Sequence, residues 1–318
     1  MKPTIGTTTA LDRQGLKRSD EAHLAALLAR ADAKFLVLAD QKPVIHSNKD
    51  RTEAAIRWLT RADLTTAGLP FANEEVLFLG VDRSAGTPYF AVGVTEHRTS
   101  HAPGALDYLR PIVDLRTLAM QGVMSPEDLS LAGQAKALVQ WHENARCCGR
   151  CGGTTLIKDG GWRRKCWACG LEHFPRTDPV VIMLVVDKAS NRCLLGHEGR
   201  FNKDPRMYST LAGFIEYGED IDHAVQREVL EEAGIEVGVV KYHSTQPWPF
   251  PHSLMIGCIG YATSTEITIN PDEIEEARWF GVDEVKQMLA GKHPNNWWVP
   301  GKQAIARALI ESFVKGEV

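Results

Sequence analysis

Four cysteines place the firmest constraint on this chain of 318 residues. They form two pairs, Cys148-x2-Cys151 and Cys166-x2-Cys169, with fourteen residues between the pairs. Each CxxC turn presents two thiols from one tight knuckle, and the intervening ribbon folds back to bring the second pair to the first. Four thiolates close the sphere of a tetrahedral ion and leave no position for water. The site therefore reads as structural Zn²⁺, one ion per chain. A redox dithiol or chance clustering is the competing reading, and a disulfide scaffold is weaker in a reducing compartment. The Gly-rich settings CGRCGG and CWACG favour metal knuckles. Cys147 adjoins the first pair but lacks the two-residue spacing to a partner, so it stays outside the ligand set. Cys193 and Cys258 sit in apolar, strand-like stretches and read as core.

The cysteines also divide the chain. Upstream, short apolar runs at Phe35–Ala39, Val76–Val81 and Tyr89–Val94 alternate with polar turns, which predicts a β-rich α+β domain over residues 1–130. Leu129, Leu131, Ala132, Ala135, Leu138, Val139 and Trp141 fall mostly at helical spacing and predict a helix from Pro126 to about Ala145. That helix and the ribbon fill residues 131–175, and an α/β domain follows over 176–318, opening with the strand VVIMLVV. The formal charge of −4 argues against a general electrostatic nucleic-acid binder. The longest aliphatic run, Val180–Val186, is seven residues, far short of the roughly 20 that span a membrane. The N-terminus shows no continuous apolar signal region, and the expected compartment is the cytoplasm.

Chemistry concentrates in residues 213–235, GFIEYGEDIDHAVQREVLEEAGI. Gly213 and Gly218 lie in a loop ahead of a helix that starts near Glu219-Asp220, where the helix dipole favours acids, and stops at Gly234. Within it Glu228, Glu231 and Glu232 fall at i, i+3 and i+4 and project from one side. Carboxylates packed so closely repel one another unless something positive sits among them. A hard divalent cation, Mg²⁺ or Mn²⁺, suits them; a solvated acidic face is the alternative.

The wider spacing, Gly213-x5-Glu219-x7-Arg227-Glu228-Val229-x-Glu231-Glu232-x-Gly234-Ile235, resembles the Nudix box at all nine defined positions over 23 residues. The resemblance implies a C-terminal Nudix α/β/α sandwich and a hydrolase that cleaves a phosphoanhydride in a nucleoside diphosphate linked to another group. It implies more than one catalytic divalent metal. Glu228 and Glu232 become the first ligands, Glu231 a further ligand or the water-activating base, and Arg227 a structural partner of the acidic helix. Such metals neutralise the diphosphate and acidify a bound water.

A second stretch, Gln246-Pro247-Trp248-Pro249-Phe250-Pro251-His252-Ser253, is similar to the SQPWPFPxS hallmark of the NADH pyrophosphatase subgroup, with Thr245 in place of the first serine. Its three prolines stiffen the strip and hold Trp248 and Phe250 with little ordering entropy left to lose, which suits a planar-base site. The subgroup's zinc ribbon matches Cys148, Cys151, Cys166 and Cys169. By the same resemblance, the strip from Gln246 to Ser253, Arg110, Phe174, Ala212 and Ala306 contact substrate. Glu273 is a remote metal ligand, with Glu276 its nearest rival. Gly161 stands where some members place a substrate-contacting Glu. The implied reaction takes NADH or NAD⁺ to nicotinamide mononucleotide and AMP. Removal of NAD caps from RNA and a homodimer are also implied. The rivals are a Nudix diphosphatase for ADP-ribose or dinucleoside polyphosphates and a non-enzymatic zinc-ribbon nucleotide sensor. The sensor class usually loses the box glutamates, which are all present here. NNWW at 295–298 matches no motif.

Overall fold

A computed structural model of the chain describes residues 11–69, 75–94, 109–199 and 206–318. The described residues fall into two compact units. One runs from residue 11 to Thr177 and includes Trp248–His252; the other holds Asp178–Pro247 and Ser253–Val318.

The first unit is built on β1 (Leu11–Asp12), β2 (Lys34–Ala39) and β3 (Lys42–Pro43), with a separate hairpin of β4 (Ile45–Ser47) and β5 (Ala54–Ile56), then β6 (Leu77–Asp82) and β7 (Pro88–Val94). Its sheet runs β1-β6-β7-β2-β3, parallel only between β2 and β7. The three apolar runs of the sequence are thus its central strands. Alternation along β2 sends Phe35, Val37 and Ala39 into a cluster with Leu27 of α1 (Glu21–Leu28) and Leu64 of α2 (Arg61–Thr66). After α3 (Leu115–Gln121), the long helix α4 (Pro126–Asn144) packs on β2, β6 and β7. Ser125 caps it, its hydroxyl accepting from the Asp128 N–H at 3.1 Å, and Pro126 opens its first turn as the sequence predicts.

The ribbon follows as a three-stranded sheet of β8 (Thr155–Lys158), β9 (Arg163–Cys166) and β10 (Glu172–His173), with β9 central. It packs into the first unit and does not stand as a third body. The Trp162 indole N–H donates to the Phe78 carbonyl at 2.8 Å, and Lys158 pairs with Glu21 at 2.7 Å.

The second unit is a mixed sheet of β11 (Asp178–Asp187), β12 (Arg192–His197), β13 (Leu211–Phe214), β14 (Val237–Trp248), β15 (Ser253–Ala262) and β16 (Glu276–Gly281), in the order β14-β15-β11-β12-β16 with β13 also on β11. β11 is central. One edge takes β15 in parallel; the other is shared by β13 at Val180–Met183 and β12 at Val185–Asp187. Its seven-residue aliphatic run is apolar on both faces because both faces are covered. Val181, Met183 and Val185 pack under α5 (Ile221–Ala233) with Val225 and Val229. Ile182, Leu184 and Val186 lie in the opposite cluster with Val285 and Met288 of α6 (Val282–Leu289) and Leu309, Ile310 and Phe313 of α7 (Ile305–Val314). This is the expected α/β/α sandwich. NNWW closes that second core: Trp297 stacks on His293 at 4.7 Å and tilts against Tyr208 at 5.1 Å.

Candidate active site and metal centre

The two knuckles converge. Cys148 Sγ and Cys169 Sγ are 3.8 Å apart, Cys151 Sγ and Cys166 Sγ 3.5 Å, and the four sulfurs lie within 4.8 Å of one another. A tetrahedron with Zn–S near 2.3 Å sets its sulfurs about 3.8 Å apart, so the thiols fit zinc. Cys147 is exposed and outside the group, and Cys193 and Cys258 are buried. Among the described residues no other group of His, Cys, Asp or Glu closes as tightly.

In the second unit, β13 delivers the chain to the loop at Gly213, and α5 begins one residue after Asp220. The Asp220 carboxylate accepts from the His223 N–H at 2.9 Å, and Gly234 ends the helix in the left-handed region. Val229 and Ile235, the box's apolar positions, are fully buried and press this segment onto the sheet. Arg227 organises the acids. Its Nε and Nη2 donate to the two oxygens of Glu219 at 2.6 and 2.9 Å; its Nη1 donates to Glu228 at 2.9 Å and Glu231 at 3.0 Å; Nη2 also reaches the Phe214 carbonyl at 2.9 Å. This planar fork suits bidentate pairing. The Glu219 carboxyl, bonded to Arg227 and the Glu216 N–H, is held down at about 2.

Glu228 and Glu232 behave differently. Burial pushes the Glu228 carboxyl up despite Arg227 beside it. Glu232, 7% exposed, is pushed up to about 8, first by burial and then by the charges of Glu228, Glu273 and Glu198; the Ala212 N–H works against this. A Cβ on Gly213 would fall inside the Glu228 carboxyl group, so only glycine lets β13 and α5 approach here. Buried carboxylates that repel one another are a donor set for a hard divalent cation. Glu231 is half exposed at the edge of the group.

The other expected residues separate. Glu273 bears on Glu228 and Glu232, whereas its rival Glu276 is engaged by Arg206 and the Tyr208 hydroxyl. Ala212 turns its N–H to Glu232. Two of the expected substrate-contact residues have buried side chains. Gln246 is fully buried, its amide N–H donating to the Gln303 carbonyl at 2.7 Å and its oxygen accepting from the Ile305 N–H at 2.8 Å. It ties down the start of α7. Ala306, in the first turn of that helix, is 3% exposed and packs in the cluster with Ile182 and Leu184. Trp248 and Phe250 meet edge to face at 5.0 Å, and Pro249 is buried against Gly133 of α4, while Pro247 and Pro251 are exposed and His252 and Ser253 half-buried. Phe174 is 62% exposed. Arg110 lines a cleft of about 970 Å³ with Asn48 and Arg51. Gly161 has no room for a longer side chain: its φ is +97° and a Cβ would lie 2.6 Å from Leu77.

Sequence reasoning missed Glu198, which follows the apolar strand β12 at no fixed distance from the box. It also missed a buried network beside the ribbon. Arg164, 7% exposed, donates to Thr155 Oγ1 at 2.7 Å, the Thr155 carbonyl at 2.7 Å and His142 Nδ1 at 2.8 Å, and His142 Nε2 donates to the Gly161 carbonyl at 2.8 Å.

Comparison with known proteins agrees with this layout. Residues 176–299 match the NUDIX domain, 32–141 the NADH pyrophosphatase-like rudimentary NUDIX domain and 143–174 the NADH pyrophosphatase zinc ribbon domain. The chain is 44% identical to NAD-capped RNA hydrolase NUDT12 of Macaca fascicularis, over 96% of this chain and 72% of that one. It is 35% identical to Nudix hydrolase 19, chloroplastic, of Arabidopsis thaliana, over 90% and 67%. It is 39% identical to NAD(P)H pyrophosphatase NUDT13, mitochondrial, of Homo sapiens, over 64% and 59%. The chain belongs to the Nudix hydrolase family, in the branch that carries the NADH pyrophosphatase zinc ribbon. No helix among the described residues is long and apolar enough to cross a membrane.

Proposed function

We propose that the protein hydrolyses the diphosphate of NADH and NAD⁺ to nicotinamide mononucleotide and AMP, and removes the same dinucleotide cap from RNA. The carboxylate group around the buried Glu232 carries this reading, on a loop and helix that keep every box residue. The relatives named as NAD-capped RNA hydrolase and NAD(P)H pyrophosphatase support the choice of substrate.

Glu228, Glu232 and Glu273 would hold the catalytic ions, Mg²⁺ or Mn²⁺, with Glu231 a further ligand or the base. When bound, such ions neutralise diphosphate charge and acidify water. The chain supplies the rest. Arg227 fixes Glu228 and Glu231 through one nitrogen, and the Ala212 N–H orients Glu232. Glu231, open to solvent, can accept the proton of a water whose oxygen attacks phosphorus as the anhydride P–O bond breaks. Trp248, Phe250 and Phe174 offer aromatic faces to the bases. The four free thiols of the ribbon suit a reducing compartment, and we place the protein in the cytoplasm as a homodimer; light scattering tests the dimer.

The deciding experiment offers purified protein, with Mg²⁺ or Mn²⁺, NADH, NAD⁺, ADP-ribose, a dinucleoside polyphosphate and NAD-capped RNA. Preference for NADH and capped RNA is expected. Preference for ADP-ribose would move the protein to another Nudix activity, and no metal-dependent turnover on any of them would leave the nucleotide sensor.

A further inference from the structure

The ribbon's charge runs against that of the chain around it. From Arg146 to Arg176 it holds seven Lys or Arg residues against Asp159 and Glu172, a net of +5 in a chain of net −4. Four thiolates around Zn²⁺ take back two of those charges and leave about +3. Some of the cations are spent internally. Arg163 pairs with Asp159 and Glu172, Lys158 with Glu21, and Arg164 is buried against Thr155 and His142. Arg146, Arg150 and Lys165 are exposed and, among the described residues, make no ion pair.

The knuckles bring an aromatic ring to these cations. Arg150 precedes Cys151, and Lys165 and Trp167 flank Cys166, while Cys151 Sγ and Cys166 Sγ are 3.5 Å apart. Trp167 is 71% exposed, yet its backbone is fixed: its N–H donates to the Thr154 carbonyl at 3.1 Å. Leu156, 51% exposed, stands opposite Lys165 in the β8–β9 register and widens the apolar surface. An indole held out on a rigid turn among free cations has no core to serve. Every nucleobase has a π-face, and phosphates lie at either side of it, so this arrangement is complementary to a single strand. A duplex hides its base faces.

We propose that this knuckle face binds single-stranded RNA, Trp167 stacking on a base while Arg150 and Lys165 meet phosphates. The biological substrate would then be capped RNA, with the strand behind the cap held on this face, which rests on the function proposed above. The binding surface itself does not.

Two measurements separate them. The first is fluorescence anisotropy of an uncapped single-stranded 12-nucleotide RNA with wild type, Trp167→Ala, Trp167→Phe and the double variant Arg150→Glu/Lys165→Glu. The second is kcat/KM of the same proteins on NADH and on NAD-capped RNA, with zinc content as the check on folding. Trp167→Ala should weaken RNA affinity about tenfold, and Trp167→Phe should recover most of it. The charge reversal should weaken binding and flatten its salt dependence. Both should lower kcat/KM on capped RNA and leave NADH unchanged. The proposal is overturned if wild type does not bind the RNA or Trp167→Ala binds as wild type does. Equal losses on NADH and capped RNA, or tighter binding of a poly-glutamate peptide or anionic phosphatidylserine vesicles, also overturn it. Should wild type hydrolyse neither substrate, the enzymatic reading fails while the anisotropy series still decides this one.

Discussion

Arg227 serves Glu219, Glu228 and Glu231, so its charge is largely committed before Glu232 is reached. Glu232 stays buried beside three like charges, and no cation among the described residues is bonded to it. Such an arrangement costs stability in the bare protein and is offset by a divalent ion. Glu232→Gln keeps the size and removes the charge. Turnover should fall at least about 10²-fold, because the lost interaction acts on the transition state. The metal-free variant should melt no lower than metal-free wild type, since a neutral amide replaces a repelled carboxylate. Near wild-type turnover at saturating Mg²⁺ would refute the assignment. Gly213→Ala tests the same group from the backbone. Its Cβ would overlap the Glu228 carboxyl, so Glu228 must move. We expect kcat to drop about tenfold or more, by analogy with small displacements of reacting groups, with metal affinity falling in parallel by calorimetry. Unchanged metal affinity would mean Glu228 is no ligand. The placement of Glu228, Glu231 and Glu232 on one side of α5 was legible because i, i+3, i+4 spacing on one helix is local geometry. That of Gln246 was not: its partners lie 57 and 59 residues away, and no local pattern marks an amide as a helix anchor.

At the scale of elements, α4 and α5 were readable because their signals are local: apolar spacing from Pro126 for one, the acids at Glu219-Asp220 and Gly234 for the other. The ribbon's attachment was not, since its ties run from Trp162 to Phe78 and from Arg164 to His142. Arg164 and Cys166 share a face of β9, so the zinc–thiolate group, with net negative charge, is the natural counterpart of a buried arginine that meets no carboxylate among the described residues. Purified protein should carry one zinc per chain, and Cys148→Ser should lower zinc content and melting temperature before it alters chemistry. A zinc-free, fully stable protein would exclude this. The same junction sets a pH response. Burial first, then Arg164, pulls His142 down to about 4 from 6.5, against the hydrogen bond to Gly161. Between those values the unfolded chain holds the proton and the folded one does not. Stability therefore is whole above about 6.5 and drains as pH falls toward 4, by up to about 3 kcal/mol. The signature is a wild-type stability that declines over this window more steeply than that of His142→Gln, by urea unfolding of zinc-loaded protein. Parallel curves would show that His142 is not the titrating group.

For the molecule as a whole, the chain order and the packing order differ. The sequence divides naturally at the ribbon into three parts, whereas the described residues pack as two units. The strip Trp248–His252 leaves the sheet of the second unit to join the first. Nothing local announces this. A run of prolines reads as stiff wherever it lies, and the contact that seats it, Pro249 on Gly133, joins residues 116 positions apart. Gly133 lies inside α4, where alanine would ordinarily stabilise a helix by up to about 1 kcal/mol. Here a Cβ would stand 2.7 Å from Pro249 Cγ, so the strip must shift, and with it the Trp248–Phe250 pair. Helix propensity and displacement act in opposite directions, and overall stability should change by less than about 1 kcal/mol. Substrate handling has no such offset. If the strip seats a base of the dinucleotide, Gly133→Ala should raise KM for NADH about tenfold and leave kcat within about twofold, because a displaced binding group costs ground state and transition state alike. Equal KM for Gly133→Ala and wild type would show that the strip's position on α4 does not matter to the substrate. A loss confined to kcat would instead place the strip's influence on the carboxylates of α5.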